Sequence, residues 1–337
     1  MQNSGLLWMG FTGRDAAEVR ADLDPGGVIL FARNLDPDPD TGPVRCKALL
    51  DALQARWGAE ATLAVAIDQE GGAVSRLRPW VGETPSFRRI WSRGGAAACE
   101  AWGWLWGEGL AMLGFNVDFA PVSELWDGDP HAGIGDRAAS ADPEEVAVAV
   151  GAFLHGLESR GVRGCLKHFP GLGGTRVDSH QALPKLDDRG TVDRNARPFV
   201  ALSHLDRLVM VAHLRTPLSE LPASLHRGSV AENPWGVQGR FLPDDLEMGG
   251  CADWSWADRA RLCLEAGHEW LLVCQSDAGV TACAEAAAAL PDALAAEALR
   301  RSRALRLNLP IPRPGALDWD AWQGWVERLR AAADALA

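Results

Sequence analysis

With 337 residues, 47% of them hydrophobic and 23% charged, the chain can bury a core large enough for one α/β barrel or two smaller domains. A formal net charge of −12 argues against a nucleic-acid or anionic-membrane partner, which needs clustered Lys and Arg, and favours a small-molecule or oligosaccharide ligand. No run approaches the ~20 apolar residues of a membrane span, and MQNSGLLWMGFTGRD at the start has no basic leader region, so a cytoplasmic protein is expected.

In chain order, strand-like apolar segments occupy 6–11, 28–32, 62–67, 115–119, 162–166, 208–212, 239–242 and 270–274; GRFL in the seventh is the weakest. Most are continuous apolar runs, as parallel strands covered on both faces require. Helical patterns fall between them at 15–23, 44–56, 97–112, 143–159, 192–202, 257–266 and 278–290. Alternation of this kind gives βα units. With eight units and no GxGxxG after the first strand, a closed (β/α)8 TIM barrel in a single domain is expected over an open doubly wound sheet. Helices from about 278 to the end pack on that barrel, including Trp319, Trp322, Trp325 and Leu329 at helical spacing.

Seven cysteines without a CxxC read as free buried thiols. There are fifteen Trp and no Tyr, and most of the Trp lie in helix-like segments such as WGWLW. Trp126, in a polar loop, is the one candidate for stacking on a sugar, with a structural role as the favoured reading.

The chemistry concentrates after the strands. AIDQEGGAVSRL follows the third and supplies Asp68 and Arg76; a buried strand ends in DQE when those groups bind something. After the fourth, APVSELWDGDPHAGIGDR brings Glu124, Asp127, Asp129 and Arg137, and reads as a solvated loop with one useful Arg. After the fifth, KHFPGLGGTRVDSH gives Lys167 and His168, then a loop freed by Gly171, Gly173 and Gly174, then Asp178 and His180; Asp178 can orient His180 and raise its basicity. After the seventh, LPDDLEMGG offers Asp244 and Asp245, and a carboxylate there is a natural nucleophile for an anomeric carbon. Adjacent side chains diverge, so one of the two should face the barrel mouth.

Taken together and in this order, DQEGG, KHFPG, DSH and DDLEM resemble glycoside hydrolase family 3, most closely its short single-domain β-N-acetylglucosaminidases. GVILFARN, NVDFAPV, GIGDR and LPASL are similar to further segments of that family at similar spacing. The resemblance implies a retaining hydrolase with Asp244 as nucleophile and His180, paired with Asp178, as acid and then base. It also implies that Asp68, Arg76, Arg137, Lys167 and His168 bind the hydroxyls of a terminal N-acetylglucosamine. The implied substrate is a peptidoglycan-derived wall fragment, and no metal or organic cofactor is implied.

The chain departs from the family pattern at Leu172, where PGHG is usual, at Ala73 for a frequent Arg, at Glu124 for Asp, and at Pro243 for Ser. Alternatives on the same fold are a phosphorylase, since a histidine acid/base does not repel phosphate, a β-glucosidase, and a sugar-binding sensor without turnover. A metal-dependent hydrolase is disfavoured by the lack of HxH on the first strand and of HExxH.

Overall fold

The computed structural model describes residues 1–129, 133–175, 177, 179 and 181–336. Eight parallel strands, β1 (Leu7–Met9), β2 (Gly27–Leu30), β3 (Ala64–Ile67), β4 (Val117–Asp118), β5 (Arg163–Phe169), β6 (Leu208–Val211), β7 (Arg240–Pro243) and β8 (Leu271–Val273), pair in the order β8-β1-β2-β3-β4-β5-β6-β7. Glu269 N–H donates to the Phe241 carbonyl at 3.0 Å and Leu246 N–H to the Leu272 carbonyl at 2.9 Å, which joins β7 to β8 and closes the (β/α)8 TIM barrel.

Alternation along each strand sorts side chains between two layers. Trp8, Ile29, Ala64, Ala66, Cys165, Leu208, Met210, Leu242 and Leu272 fill the barrel, while Val28, Val65, Ile67, Leu166, Val209, Val211 and Val273 face the helices. Trp8 stacks with Phe119 and packs against Trp270, with centroids 5.8 and 5.0 Å apart. Small neighbours make room for it: a Cβ on Gly27 would come within 2.8 Å of the Trp8 ring. The barrel below the strand ends is therefore solid, and chemistry is confined to its mouth.

Besides the single turn Arg78–Val81, the helices are α1 (Gly42–Trp57), α2 (Phe87–Leu113, kinked at Gly95), α3 (Pro143–Ser159), α4 (Arg189–Ala201), α5 (Trp256–Ala266), α6 (Asp277–Ala288), α7 (Asp292–Asn308) and α8 (Trp319–Ala335). Side-chain caps written in the sequence start several of them: Asp142 accepts from Glu144 and Glu145 N–H, and Asp188 from Thr191 N–H.

The helix expected over 15–23 is absent, and the one expected over 97–112 begins ten residues earlier, at Phe87. Over 15–23 there is only the 3-10 turn Ala16–Glu18, because Asp15 and Glu18 form a reciprocal capping box and Val19 leaves it with extended backbone. Helix α7 lies within the helical region expected from about 278 onward, and its buried face is small: Ala295, Ala298, Ser302 and Leu305. The C-terminal Trp helix packs as expected, with Trp325 Nε1 donating to the Leu105 carbonyl at 2.7 Å and its ring against Gly109.

Candidate active site

A cavity of about 1140 Å³ opens at the C-terminal ends of the strands. Asp68 follows β3 in phase with inward-facing Ala64 and Ala66, Lys167 lies in phase with Cys165, and Asp244 in phase with Leu242. All three line the cavity, together with Arg76, Arg137 and His168. A second cavity of about 770 Å³ lies toward the opposite end, between α2 and the 310–318 connection, and holds none of the expected site residues.

Lys167 Nζ donates to Asp68 Oδ1 at 2.9 Å and pairs with Glu70 Oε1 at 2.7 Å. Arg137 grips Glu70 bidentately, Nε to Oε2 at 2.8 Å and NH2 to Oε1 at 2.9 Å, while Arg76 NH2 reaches Asp68 Oδ2 at 3.4 Å. Glu70 is brought there by the hairpin of Gln69–Gly71 and Val74–Ser75. Gln69 organises that hairpin: its N–H donates to Asp118 Oδ1, its amide donates to Ser75 Oγ, and its carbonyl oxygen accepts from Leu77 N–H.

Burial alone would raise the Glu70 carboxyl, but Arg137 and Lys167 outweigh it and hold Glu70 well below the usual carboxylate range. Burial would likewise lower Lys167, yet Asp68 and Glu70 keep it above the ordinary lysine value. Asp118, beneath them, is pushed well up by burial. The result is a preorganised array of charged donors and acceptors at the barrel mouth, the kind of surface that binds a polyol through charge-assisted hydrogen bonds.

His168 is fixed from behind. Its Nδ1 lies 2.6 Å from Glu124 Oε1, the same oxygen accepts the His168 N–H at 3.0 Å, and Glu124 Oε2 accepts the Leu172 N–H at 3.1 Å. Asn195 then holds the Gly171 and Gly173 carbonyls, so the start of the glycine loop is tied to α4.

The two aspartates after β7 have separate environments. Asp244 Oδ1 accepts the Asp245 N–H at 2.8 Å. Burial would raise the Asp244 carboxyl, but His168, His213, that N–H and Lys167 together hold it below the usual value, ionised and facing the cavity. Asp245 also lines the cavity, contrary to the expectation that only one of the pair would, and it ties β7 to β8: Oδ1 accepts from Glu247 and Cys274 N–H, each at 3.1 Å, and Oδ2 from Gln275 Nε2 at 3.1 Å. Burial pushes Asp245 up to about 6.

The model of the glycosyl hydrolase family 3 N-terminal domain matches residues 7–332. The chain belongs to glycosyl hydrolase family 3. Curated relatives include a beta-hexosaminidase of Pseudomonas aeruginosa, 34% identical over 290 residues with 82% of this chain and 84% of the relative covered. Another beta-hexosaminidase, from Alkalilimnicola ehrlichii, is 33% identical over 351 residues, covering 97% and 96%. Among solved structures, a family 3 beta-N-acetylglucosaminidase from Paenibacillus sp. aligns with a TM-score of 0.81 at 27% identity, covering 98% of this chain and 68% of that one. NagZ from Neisseria gonorrhoeae in complex with N-trifluoroacetyl-D-glucosamine aligns with a TM-score of 0.77 at 26% identity, covering 98% of both.

This family 3 glycoside hydrolase thus brings six of the expected residues into one cavity: Asp68, Arg76, Arg137, Lys167, His168 and Asp244. Asp178 and His180 lie outside the described residues. Glu124 corrects the solvated-loop expectation: it is 0% exposed, because the loop after β4 folds back under His168. Trp126 does not line the cavity; the Arg88 guanidinium stacks 3.3 Å from its ring centroid. Lys167 and His168 belong to β5 itself rather than to the loop after it. Sequence reasoning missed Glu70, although it stands two residues past Asp68 and strand alternation puts such pairs on one face. It also missed His213, which an apolar VAHL context disguises as core.

Proposed function

We propose that the chain is a retaining exo-β-N-acetylglucosaminidase that removes terminal β-linked N-acetylglucosamine from peptidoglycan-derived wall fragments in the cytoplasm. The observation that carries this reading is Asp244: an ionised carboxylate at the end of β7, aimed into the polyol-binding cavity beside His168 and Lys167.

In the first step an Asp244 oxygen bonds to the anomeric carbon while the glycosidic carbon–oxygen bond breaks, and the leaving oxygen takes a proton from His180. In the second, His180 removes a proton from water as the water oxygen replaces Asp244 at the anomeric carbon, regenerating the carboxylate. Asp178 would orient His180 through both steps. Support for this pair is the DSH motif and its family resemblance. Lys167, Asp68, Arg137, Arg76 and His168 would hold the sugar hydroxyls. The beta-hexosaminidase relatives and the N-acetylglucosamine analogue in the Neisseria structure support the sugar, and seven buried unpaired cysteines accord with a reducing compartment.

The test is nitrophenol release from nitrophenyl β-N-acetylglucosaminide, with and without phosphate, by the parent and by Asp244→Asn. Release that is independent of phosphate and lost in the variant supports the reading. A sugar phosphate product would replace it by a phosphorylase, and binding of N-acetylglucosamine without turnover would replace it by a sensor.

A further inference from the structure

His213 lies two residues beyond β6 and is 0% exposed, between apolar Ala212 and Leu214. Its Nε2 is 2.9 Å from the Asp245 carbonyl oxygen; a carbonyl only accepts, so this nitrogen carries a proton and donates it. Its Nδ1 meets Ser224 Oγ at 2.7 Å and Cys251 Sγ at 3.2 Å. Ser224 is itself fully buried, in the 3-10 turn Ala223–Leu225, and its carbonyl is held by His268 Nε2 at 2.8 Å. The imidazole is therefore gripped on both nitrogens, and the group it grips in turn is the carbonyl of Asp245, the residue immediately after Asp244.

The opposite face is closed by the turn Gly249–Cys251. A Cβ on Gly250 would stand 2.6 Å from His213 Cβ, so glycine permits this approach. Gly250 N–H donates to the Ser179 carbonyl at 3.0 Å. Ser179 is the middle residue of the DSH motif, so the turn that packs on His213 also holds the backbone at Ser179.

We infer that His213 is a positioning residue for the nucleophile: with Ser224 behind it, it fixes the Asp245 carbonyl, the Asp245 N–H fixes Asp244 Oδ1, and the free Asp244 oxygen is thereby aimed at the anomeric carbon. A histidine serving only as core would not need a donor aimed at this one carbonyl, and an apolar residue between Ala212 and Leu214 would pack there without hydrogen bonds. The inference rests on the proposed role of Asp244 as nucleophile.

The test compares His213→Leu, His213→Gln, Ser224→Ala and Asp244→Asn with the parent on nitrophenyl β-N-acetylglucosaminide, with N-acetylglucosamine inhibition and thermal unfolding measured alongside. Displacing a reacting group by about an ångström reduces rate by about a hundred-fold. His213→Leu is expected to lose roughly 10- to 100-fold in kcat with KM and the inhibition constant nearly unchanged, because sugar binding resides in other residues. His213→Gln, which can still donate to the carbonyl, is expected to recover part of that loss, and Ser224→Ala to lose a few-fold in kcat alone. A folded His213→Leu with parental kcat would overturn the inference, as would parallel losses in kcat, KM and melting temperature without recovery by Gln. If His213→Leu does not fold, Ser224→Ala decides: a kcat-only loss supports the inference and an unchanged kcat overturns it. Undiminished activity of Asp244→Asn would instead remove the reading on which the inference stands.

Discussion

Asp244 Oδ1 accepts the N–H of Asp245 at 2.8 Å, so one peptide divides two adjacent carboxylates between different tasks. Both carboxylates line the cavity, but Asp244 is held below the usual carboxylate range by His168, His213, the Asp245 N–H and Lys167, whereas Asp245 is tied to Cys274 and Gln275 at the end of β8 and pushed upward by burial. Environment rather than chemistry separates them.

The difference has a measurable pH signature. Asp245 moves from 3.8 to about 6 on folding, so the folded protein binds this proton more tightly than the unfolded chain. Stability from this group is fully present below the unfolded value and is lost as pH rises through the window up to about 6. Asp245→Asn cannot ionise, and relative to the parent it should gain up to ~3 kcal/mol across that window. Urea unfolding at a series of pH values checks this, and a parallel pH dependence of the two proteins would contradict it.

Glu70 holds two buried cations at once. Glu70→Gln leaves Lys167 and Arg137 with a neutral amide, and breaking a buried ion pair from one side costs about 3–5 kcal/mol. We expect a clear fall in thermal stability, little changed by salt because the cluster is screened from solvent, and weaker binding of N-acetylglucosamine. Calorimetry and inhibition by the free sugar would read both effects.

Glu124 stands where the family pattern has Asp, and the longer side chain spans two partners, His168 on one oxygen and Leu172 N–H on the other. Glu124→Asp should not reach both, so KM should rise about ten-fold, equivalent to ~1.4 kcal/mol of lost binding. Leu172 meanwhile packs against the cluster of Leu186, Val192, Ala212 and Leu214. Leu172 is only partly buried and also lines the cavity, so Leu172→His should cost about 1 kcal/mol, through lost apolar contact with that cluster. Steady-state kinetics and a double-mutant cycle with Glu124→Asp would measure the coupling, expected at 0.5–3 kcal/mol for groups sharing a network, about the range for contacting residues.

How much of this was legible in the sequence depends on the reach of each interaction. All eight strand segments were readable, even GRFL at β7, because a strand buried on both faces announces itself as an apolar run. Asp68, Lys167 and Asp244 were readable because a charge at the end of such a run has few structural reasons to be there. Glu70 was not, since its importance comes from Arg137, 67 residues away, and from a hairpin that only Gln69 and Asp118 specify. Glu124 looked like loop because nothing local says that its segment returns beneath His168. His213 looked like core because its partners, Ser224, Asp245 and Cys251, come together only in the closed barrel.

Stereochemistry follows from a covalent intermediate. Two displacements at one carbon restore the starting configuration, so the sugar first released from a β-glycoside should be the β-anomer. Proton NMR of the anomeric signal in the first minutes of turnover reads this, and initial appearance of the α-anomer would indicate a single displacement by water.

The most direct test of the central claim is to trap the glycosyl-enzyme. The protein is incubated with a fluorinated N-acetylglucosaminyl fluoride, which slows breakdown of the intermediate, then digested and sequenced by mass spectrometry. The account predicts one sugar attached to the peptide containing LPDDLEM, with fragmentation placing it on Asp244. Attachment to Asp245 or to any other residue, or turnover with no trapped sugar at all, would contradict it.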